Sequence, residues 1–142
     1  MNKLKCVFTT EQHVDYVLKN LHPRLKNDLL YAVRCGFHLK DEAMKHNSAV
    51  TYVYDGIPVA IAKVPNHEDT TIWVFFTKDA INLRFCLHKN VRKILNGLTK
   101  EFKFLKTVCR RNNDISLRWL KSLGFEVLDN HIEGNFLYME KR

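Results

Sequence analysis

Residues 113–125 read Asn113-Asp-Ile-Ser-Leu-Arg-Trp-Leu120-Lys-Ser-Leu-Gly124-Phe125. Asn113 or Asp114 suits the N-cap of a helix, because a short side-chain oxygen accepts a hydrogen bond from the backbone of the first turn. Gly124 suits the end of that helix, because glycine adopts the left-handed conformation at little cost. The stretch therefore predicts a capped helix over residues 114–123 that leads directly into a strand.

The residues before this helix predict a short strand over 105–109 and a long helix from about 82 to 102. In the long helix, apolar residues recur at spacings of two to four, which is typical of a helix with one buried face. These residues are Phe85, Leu87, Val91, Ile94, Leu95, Leu98 and Phe102. The opposite face of the helix is basic.

Two hairpins and a buried strand are expected on either side of these helices. Residues 49–54 and 57–64 are rich in strand-forming residues and are separated by Asp55-Gly56, which is a strong hairpin signal. The apolar run over 70–77 predicts a central strand buried on both faces. Residues 125–132 and 135–140 predict a closing hairpin around Glu133-Gly134.

The amino-terminal part predicts a strand followed by helices. Residues 3–9 place Leu4, Cys6 and Phe8 on one face, as expected of a half-buried strand. Helical spacing follows, Pro23 suits the first turn of a second helix, and residues 39–47 form a short helical stretch. The fold class is thus α/β (α+β), in the order βααβββαβαββ, with a mixed central sheet flanked by helices.

Length and composition predict a single domain over residues 1–142, because 142 residues with 46% hydrophobic content suffice for one core. No apolar run has the length of a signal peptide or a membrane span. The four cysteines are far apart and the histidines have no metal-ligand spacing, so we expect reduced thiols, no metal site and a cytoplasmic location.

The positive charge is concentrated in one part of the chain. The formal net charge is +8, and residues 84–121 contain eleven Lys or Arg against only two acids, Glu101 and Asp114. A basic face is therefore expected near the long helix. Such a face attracts a polyphosphate cofactor, a nucleic acid or an acidic protein.

The stretch 113–125 resembles the strand-helix segment of the GNAT superfamily of N-acetyltransferases, in which an Asn precedes a helix that ends in Leu-Gly-Phe. The hairpin Tyr54-Asp-Gly-Ile-Pro-Val-Ala60 is similar to the turn between that family's second and third strands. The resemblance covers nearly the whole chain. It implies transfer of an acyl group from acetyl-CoA to an amine acceptor, which is a protein or a small molecule.

The resemblance also implies a set of site residues. The end of the central strand, Phe75, Phe76 and Thr77, would lend backbone groups to pantetheine. Arg84 would attract phosphate at the start of the long helix, and Asn113 and Ser116 would line the cofactor beside the later helix. His67 and Glu68, just before the central strand, are the candidate general bases because a base for the amine is expected there.

Two positions depart from the family pattern. The glycine-rich pyrophosphate loop of the family corresponds to residues 81–86, which contain no glycine. Leu120 stands where many members have a Tyr that protonates the departing thiolate. The alternative reading is therefore a GNAT-fold protein without catalysis that binds a partner through its basic face.

Residues 73–77, the glycine-poor basic helix and the run Asn113-Asp-Ile-Ser-Leu-Arg-Trp-Leu-Lys121 carry a narrower resemblance. Over roughly the last two thirds of the chain, the sequence resembles small GNAT-like proteins of short-tailed phages, some of them internal virion proteins. It implies a host or virion protein as partner, and the host cytoplasm or the virion as location. A nucleic acid is the third class of partner, ranked last because no recognised reader motif accompanies the charge. No membrane partner is expected.

Overall fold

The protein divides into two compact units in a computed structural model that describes residues 4–34, 37–45, 48–133 and 136–142. Unit 1 comprises Met1–Val64 and Val74–Arg84, and unit 2 comprises Pro65–Trp73 and Phe85–Arg142. The chain thus passes from one unit to the other three times. In the described ranges, no helix is both long and apolar enough to cross a membrane.

Unit 1 contains a four-stranded antiparallel sheet and three α-helices. The strands pair in the order β1-β2-β3-β4. In chain order the elements are β1 (Leu4–Phe8), α1 (Glu11–Lys19), α2 (Pro23–Arg34), α3 (Leu39–Met44), β2 (Ala49–Tyr54), β3 (Ile57–Lys63) and β4 (Val74–Phe76), followed by a 3-10 helix at Lys78–Leu83.

Local residue chemistry explains where these elements begin and turn. Asp55 and Gly56 have φ values of 52° and 81°, as a two-residue hairpin turn requires, and they join β2 to β3. Thr10 caps α1: its hydroxyl accepts from the backbone N–H of His13, while Nδ1 of His13 accepts from the N–H of Thr10. Helix α1 then buries Val14 and Val17 completely.

Unit 2 contains a three-stranded antiparallel sheet in the order β5-β7-β6. Its elements are α4 (Arg84–Glu101, whose first residue belongs to unit 1), β5 (Leu105–Arg110), α5 (Asp114–Ser122), β6 (Glu126–Glu133) and β7 (Phe136–Lys141). The segment before β4 adds a parallel bridge between Thr71 and Lys106. Beside it, the hydroxyl of Thr107 donates to the carbonyl of Ile72 at 2.9 Å.

The core of unit 2 lies where α4 and α5 meet the sheet. Leu95 and Phe102 from the end of α4 pack with Leu105, Cys109 and Met139 from the sheet. Strands alternate their side chains between two faces, so only one face of β5 contributes to this core. The remaining members are Leu123 and Phe125, with Ile72, Val91, Leu98, Leu117, Trp119, Leu120 and Val127 packed around them.

The structure confirms the predicted fold class and most elements. Helix α5, the long helix α4, the Asp-Gly hairpin and the short helix α3 lie where the sequence predicts them. The strands form antiparallel pairs in two sheets instead of one mixed sheet, apart from the single parallel bridge. The predicted turn at Gly134 and Gly36 as a helix end lie outside the described residues.

Other details of the prediction are wrong. Of the apolar residues expected on the buried face of α4, Phe85 is 78% exposed and Ile94 is 42% exposed. The strand expected over 70–77 is limited to Val74–Phe76, and β4 is the last strand of its sheet order, not a central one. In β1, Phe8 is 75% exposed, so the alternating residues do not form a half-buried face. Alternation reports which residues share a face, whereas burial depends on what packs against that face. The single domain stays a prediction.

Candidate functional site

Asn113 forms the N-cap of α5 and is 5% exposed. Its Oδ1 accepts a hydrogen bond from the backbone N–H of Ser116 at 3.1 Å. Its own N–H donates to the carbonyl of Arg110, which ties the cap to the end of β5. The structure therefore brings together two of the predicted cofactor residues, with Ser116 half-buried on the first turn of the helix.

Helix α5 ends in two backbone hydrogen bonds, one nested inside the other. The N–H of Phe125 donates to the carbonyl of Leu120, and the N–H of Gly124 donates to that of Lys121. Gly124 has a φ of 100°, as this glycine-terminated arrangement requires. The Lys141 ammonium donates to the carbonyl of Leu123 at 2.6 Å, so the last turn is held by strand β7 as well.

Leu120 belongs to the hydrophobic packing of unit 2. It lies half-buried against the core cluster that contains Phe125, the residue that bonds to its carbonyl. An apolar contact of this kind commonly accompanies such a helix end. The position thus has a clear packing role, and its side chain has no proton to donate.

Helices α4 and α5 are joined by a side-chain hydrogen bond. Nε1–H of Trp119 donates to Nδ1 of His88 at 2.9 Å, and both side chains are half-buried. Only an unprotonated Nδ1 can accept, so His88 carries its proton on Nε2 in this arrangement. The sequence does not predict this pair, because the two residues are 31 positions apart and no local pattern connects them.

The end of β4 carries three predicted cofactor residues, and their backbone groups are partly engaged. Phe75 pairs with Ile61 in the sheet and stacks on Phe37 at a ring distance of 6.0 Å. The carbonyl of Phe76 accepts from the N–H of His22 at 2.9 Å. A carbonyl oxygen has a second lone pair, so it remains able to accept from a ligand.

Thr77 has its N–H engaged and its hydroxyl unsatisfied. The N–H donates to the carbonyl of Val59 at 2.9 Å. Its Oγ1 is fully buried and has no hydrogen-bond partner among the described residues. A buried polar atom without a partner costs about 1–3 kcal/mol, so this hydroxyl lowers the stability of the fold. Thr77 is 0% exposed, so its hydroxyl has no surface that a ligand could contact in this conformation.

The start of α4 follows a helical turn. The 3-10 helix Lys78–Leu83 runs directly into α4, whose first residue, Arg84, is exposed. A 3-10 helix uses its N–H groups in i→i−3 hydrogen bonds. Positive charge continues along the exposed side of α4 in Lys89, Arg92 and Lys93.

His67 and Glu68 lie in an exposed loop of unit 2. The loop is ordered by Asn66, whose Oδ1 accepts from the N–H groups of Glu68 and Asp69 at 2.9 and 2.8 Å. The His67 ring lies 5.0 Å from that of Phe102, and its Nε2 is 4.0 Å from a carboxylate oxygen of Glu101. Both candidate bases are open to solvent, and their catalytic role stays a prediction.

Metal ligation and thiol chemistry have little support in the described part of the chain. No group of three or more His, Cys, Asp or Glu there is arranged to hold a metal ion. Cys6, Cys86 and Cys109 are free thiols, and burial raises the pKa of the Cys6 thiol. A raised pKa keeps a thiol protonated and less nucleophilic.

Solved structures of acetyltransferases match almost the entire chain. A GNAT-family acetyltransferase from Listeria monocytogenes has a TM-score of 0.67 at 13% identity, covering 97% of this chain and 94% of its own. The PaiA N-acetyltransferase of Thermoplasma acidophilum, in complex with coenzyme A, has a TM-score of 0.61 at 11% identity and 98% coverage of both chains. This chain has the GNAT fold.

A third GNAT-fold neighbour is a chimeric spermidine N-acetyltransferase from Vibrio cholerae, with a TM-score of 0.62 at 9% identity, covering 99% of this chain and 95% of its own. No protein-family model and no curated protein matches this chain. At these identities the likeness establishes the GNAT fold. The activity must be argued from the residues of this chain.

Proposed function

We propose that this protein is an acyl-CoA-dependent N-acetyltransferase that acts on an amine of a protein or a small molecule. The observation that carries the proposal is the GNAT fold itself, shared over nearly the whole chain with a neighbour that was solved with coenzyme A. The carbonyl of Phe76 supports it, because this half-buried residue keeps a second lone pair that can accept from a pantetheine amide.

In this proposal, backbone groups of Phe75, Phe76 and Thr77 hold pantetheine. Arg84 attracts the cofactor phosphates. Asn113 and Ser116 shape the surface at the start of α5, where the side chain of Asn113 caps the first turn. Acetyl-CoA supplies an activated thioester. The exposed pair His67 and Glu68 would take the proton from the acceptor amine as its nitrogen attacks the thioester carbonyl.

The bond between the acetyl carbon and sulfur then breaks, and coenzyme A leaves as a thiolate. Leu120 carries no proton for it, so this chain differs from family members that have a Tyr there. The thiolate takes its proton from water in this reading. We therefore expect acetyl transfer to be slower than in family members that have this Tyr, and we expect its rate to depend on the pKa of the leaving thiol.

The second candidate is a GNAT-fold protein that has lost catalysis and binds or inhibits a host or virion protein through its basic face. Two observations favour it: Leu120 serves packing, and a 3-10 helix without glycine precedes α4 in place of a glycine-rich loop. The phage-type assignment applies to both candidates and rests on the sequence pattern alone. The degenerate pyrophosphate loop is common to both candidates.

Calorimetric titration with acetyl-CoA tests the proposal directly. We expect binding at or below millimolar concentration, and release of free thiol when an amine acceptor such as spermidine or a peptide is added. Absence of binding at millimolar acetyl-CoA would exclude the enzyme and leave the second candidate. If binding occurs, Arg84→Ala and Asn113→Ala should weaken it, and unchanged affinity would show that the site is misplaced.

A pair of threonine variants tests the packing at the end of β4. Thr77→Val removes a buried hydroxyl that has no partner among the described residues, so it should stabilise the protein. Thr51→Val is the matched control, because Thr51 is equally buried but its hydroxyl is bonded to that of Thr9 at 2.9 Å. The control should lose stability in urea unfolding. Equal loss of stability in both variants would show that the Thr77 hydroxyl has a partner.

A further inference from the structure

Helix α4 has two distinct faces, which the contacts of the structure define. Leu87 and Leu95 are buried, and Val91 and Leu98 pack on the core cluster of unit 2. The opposite side is exposed along its length, and we call it the outer face of α4. It consists of Phe85, Lys89, Arg92, Lys93, Asn96 and Lys100.

The cations of this face have no carboxylate partners among the residues that the structure describes. Lys89, Arg92, Lys93 and Lys100 form no ion pair with any residue that the structure describes. The acid next to them in sequence, Glu101, lies 4.0 Å from His67 instead. Four uncompensated charges on one helix face repel one another, and an anionic partner would remove this repulsion.

The spacing of these cations suits a linear polyanion. Lys89 and Lys93 are four residues apart, which is about 6 Å along a helix, and Lys100 lies about 10 Å further on. Successive phosphates of an extended nucleic-acid strand are separated by a similar distance. The cations therefore form a row, whereas a single phosphate would be bound by a cluster.

Phe85 adds an aromatic surface to one end of the row. Its side chain is 78% exposed, and Lys89 follows one helical turn later on the same face. Covering the exposed surface of a phenyl ring contributes up to about 1.5–3 kcal/mol. A flat ring next to a row of cations is the combination by which proteins bind unpaired bases and their phosphates.

We propose that the outer face of α4 binds single-stranded nucleic acid, with Lys89, Arg92, Lys93 and Lys100 on the phosphates and Phe85 stacked on a base. This binding is independent of sequence, because contacts to phosphates and stacking on a ring do not distinguish one base from another. A duplex fits less well, because its bases are already stacked and offer no free face to Phe85. An acidic peptide would use the cations but would gain nothing from the ring.

The test is fluorescence polarisation of the full chain with a labelled oligothymidine about 16 nucleotides long. With four phosphate contacts, the slope of log K against log salt should be about −2.8. The double variant Arg92→Gln/Lys93→Gln should reduce the slope to about −1.4. Its matched control is Arg24→Gln/Lys26→Gln, which makes the same charge change on exposed residues of α2 and should leave the slope unchanged.

The aromatic contact has its own test. Phe85→Ala should weaken binding by roughly five- to a hundredfold without changing the salt slope, and Phe85→Trp should restore it. Phe8→Ala is the control, because Phe8 is 75% exposed but lies on β1 of unit 1. Circular dichroism should show all variants folded, since every substituted side chain is exposed.

Three results would overturn the proposal. One is equal loss of affinity in the α4 and α2 double variants. Another is a duplex of the same length that binds as tightly as the single strand. The third is displacement of the oligonucleotide by polyglutamate as effectively as by unlabelled oligothymidine, which would identify an acidic protein as the partner.

Discussion

The indole N–H of Trp119 donates to Nδ1 of His88 at 2.9 Å, and this bond is a direct link between helices α5 and α4. Both side chains are half-buried, and Trp119 also packs on the core cluster of unit 2. Its contribution can be isolated with a double-mutant cycle. We expect a coupling free energy of about 0.5–1.5 kcal/mol between His88→Ala and Trp119→Phe, measured by urea unfolding. Additive effects of the two substitutions would show that the bond contributes nothing.

Two glycines should respond in opposite directions to the same substitution. Gly97→Ala should stabilise the protein by about 0.5–1 kcal/mol, because the added Cβ meets nothing within 4 Å and alanine favours the helix. Gly124→Ala should destabilise it, because φ is +100° and the Cβ would lie 2.6 Å from the Lys141 ammonium. Thermal unfolding of both variants checks this, and a shift of the same sign would contradict it.

The cap of α5 should respond to substitutions according to their capacity to accept a hydrogen bond. Asn113→Ala leaves the N–H of Ser116 without its acceptor and should cost about 1 kcal/mol of unfolding free energy. Asn113→Ser provides another oxygen at the cap and should recover most of that loss. If both variants are equally destabilised in denaturant titrations, the side-chain cap is not what stabilises this helix.

The phenol of Tyr52 should lose its proton at a higher pH than an exposed tyrosine does. Burial, together with the charge of Cys6 on the neighbouring strand, raises the pKa of Tyr52 from 10.0 to about 12. The unfolded chain therefore loses this proton first, and folding loses stability as the pH rises from about 10 to about 12. Ultraviolet absorbance of the phenolate measures the titration. Tyr52→Phe should remove the late step and flatten the loss of stability, whereas an ordinary titration near pH 10 would contradict the burial.

We expect the chain to unfold as one domain. Neither compact unit is continuous in sequence, because the segments 65–73 and 74–84 alternate between them. Segment 65–73 of unit 2 is connected at both ends to unit 1, and segment 74–84 of unit 1 is connected at both ends to unit 2. If one unit unfolds, a segment of the other therefore loses both of its anchored ends, which should couple the unfolding of the two units. Calorimetry should give one transition whose calorimetric and van't Hoff enthalpies agree. Two transitions, or a urea profile that differs between probes in the two units, would show two independent domains.

Features that depend on neighbouring residues could be predicted from the sequence. Asn113 and Gly124 mark the ends of α5, and Asp55-Gly56 makes the turn of the first hairpin, because caps and turns are determined by a few adjacent residues. The succession of helices and strands follows from periodicity, and the GNAT fold was indicated by the resemblance of residues 113–125 together with that succession. Of the candidate site, the sequence predicted the Asn113 cap that brings Ser116 beside it.

The tertiary structure decided what depends on residues far apart in the chain. It limits β4 to three residues, exposes Phe8 and joins Trp119 to His88. It also buries the hydroxyl of Thr77 without a partner among the described residues. Burial and hydrogen-bond satisfaction are determined by what packs against a side chain, and local sequence does not specify that neighbour. The helix α5 is thus a property of thirteen residues, whereas any site for acetyl-CoA is a property of the folded chain.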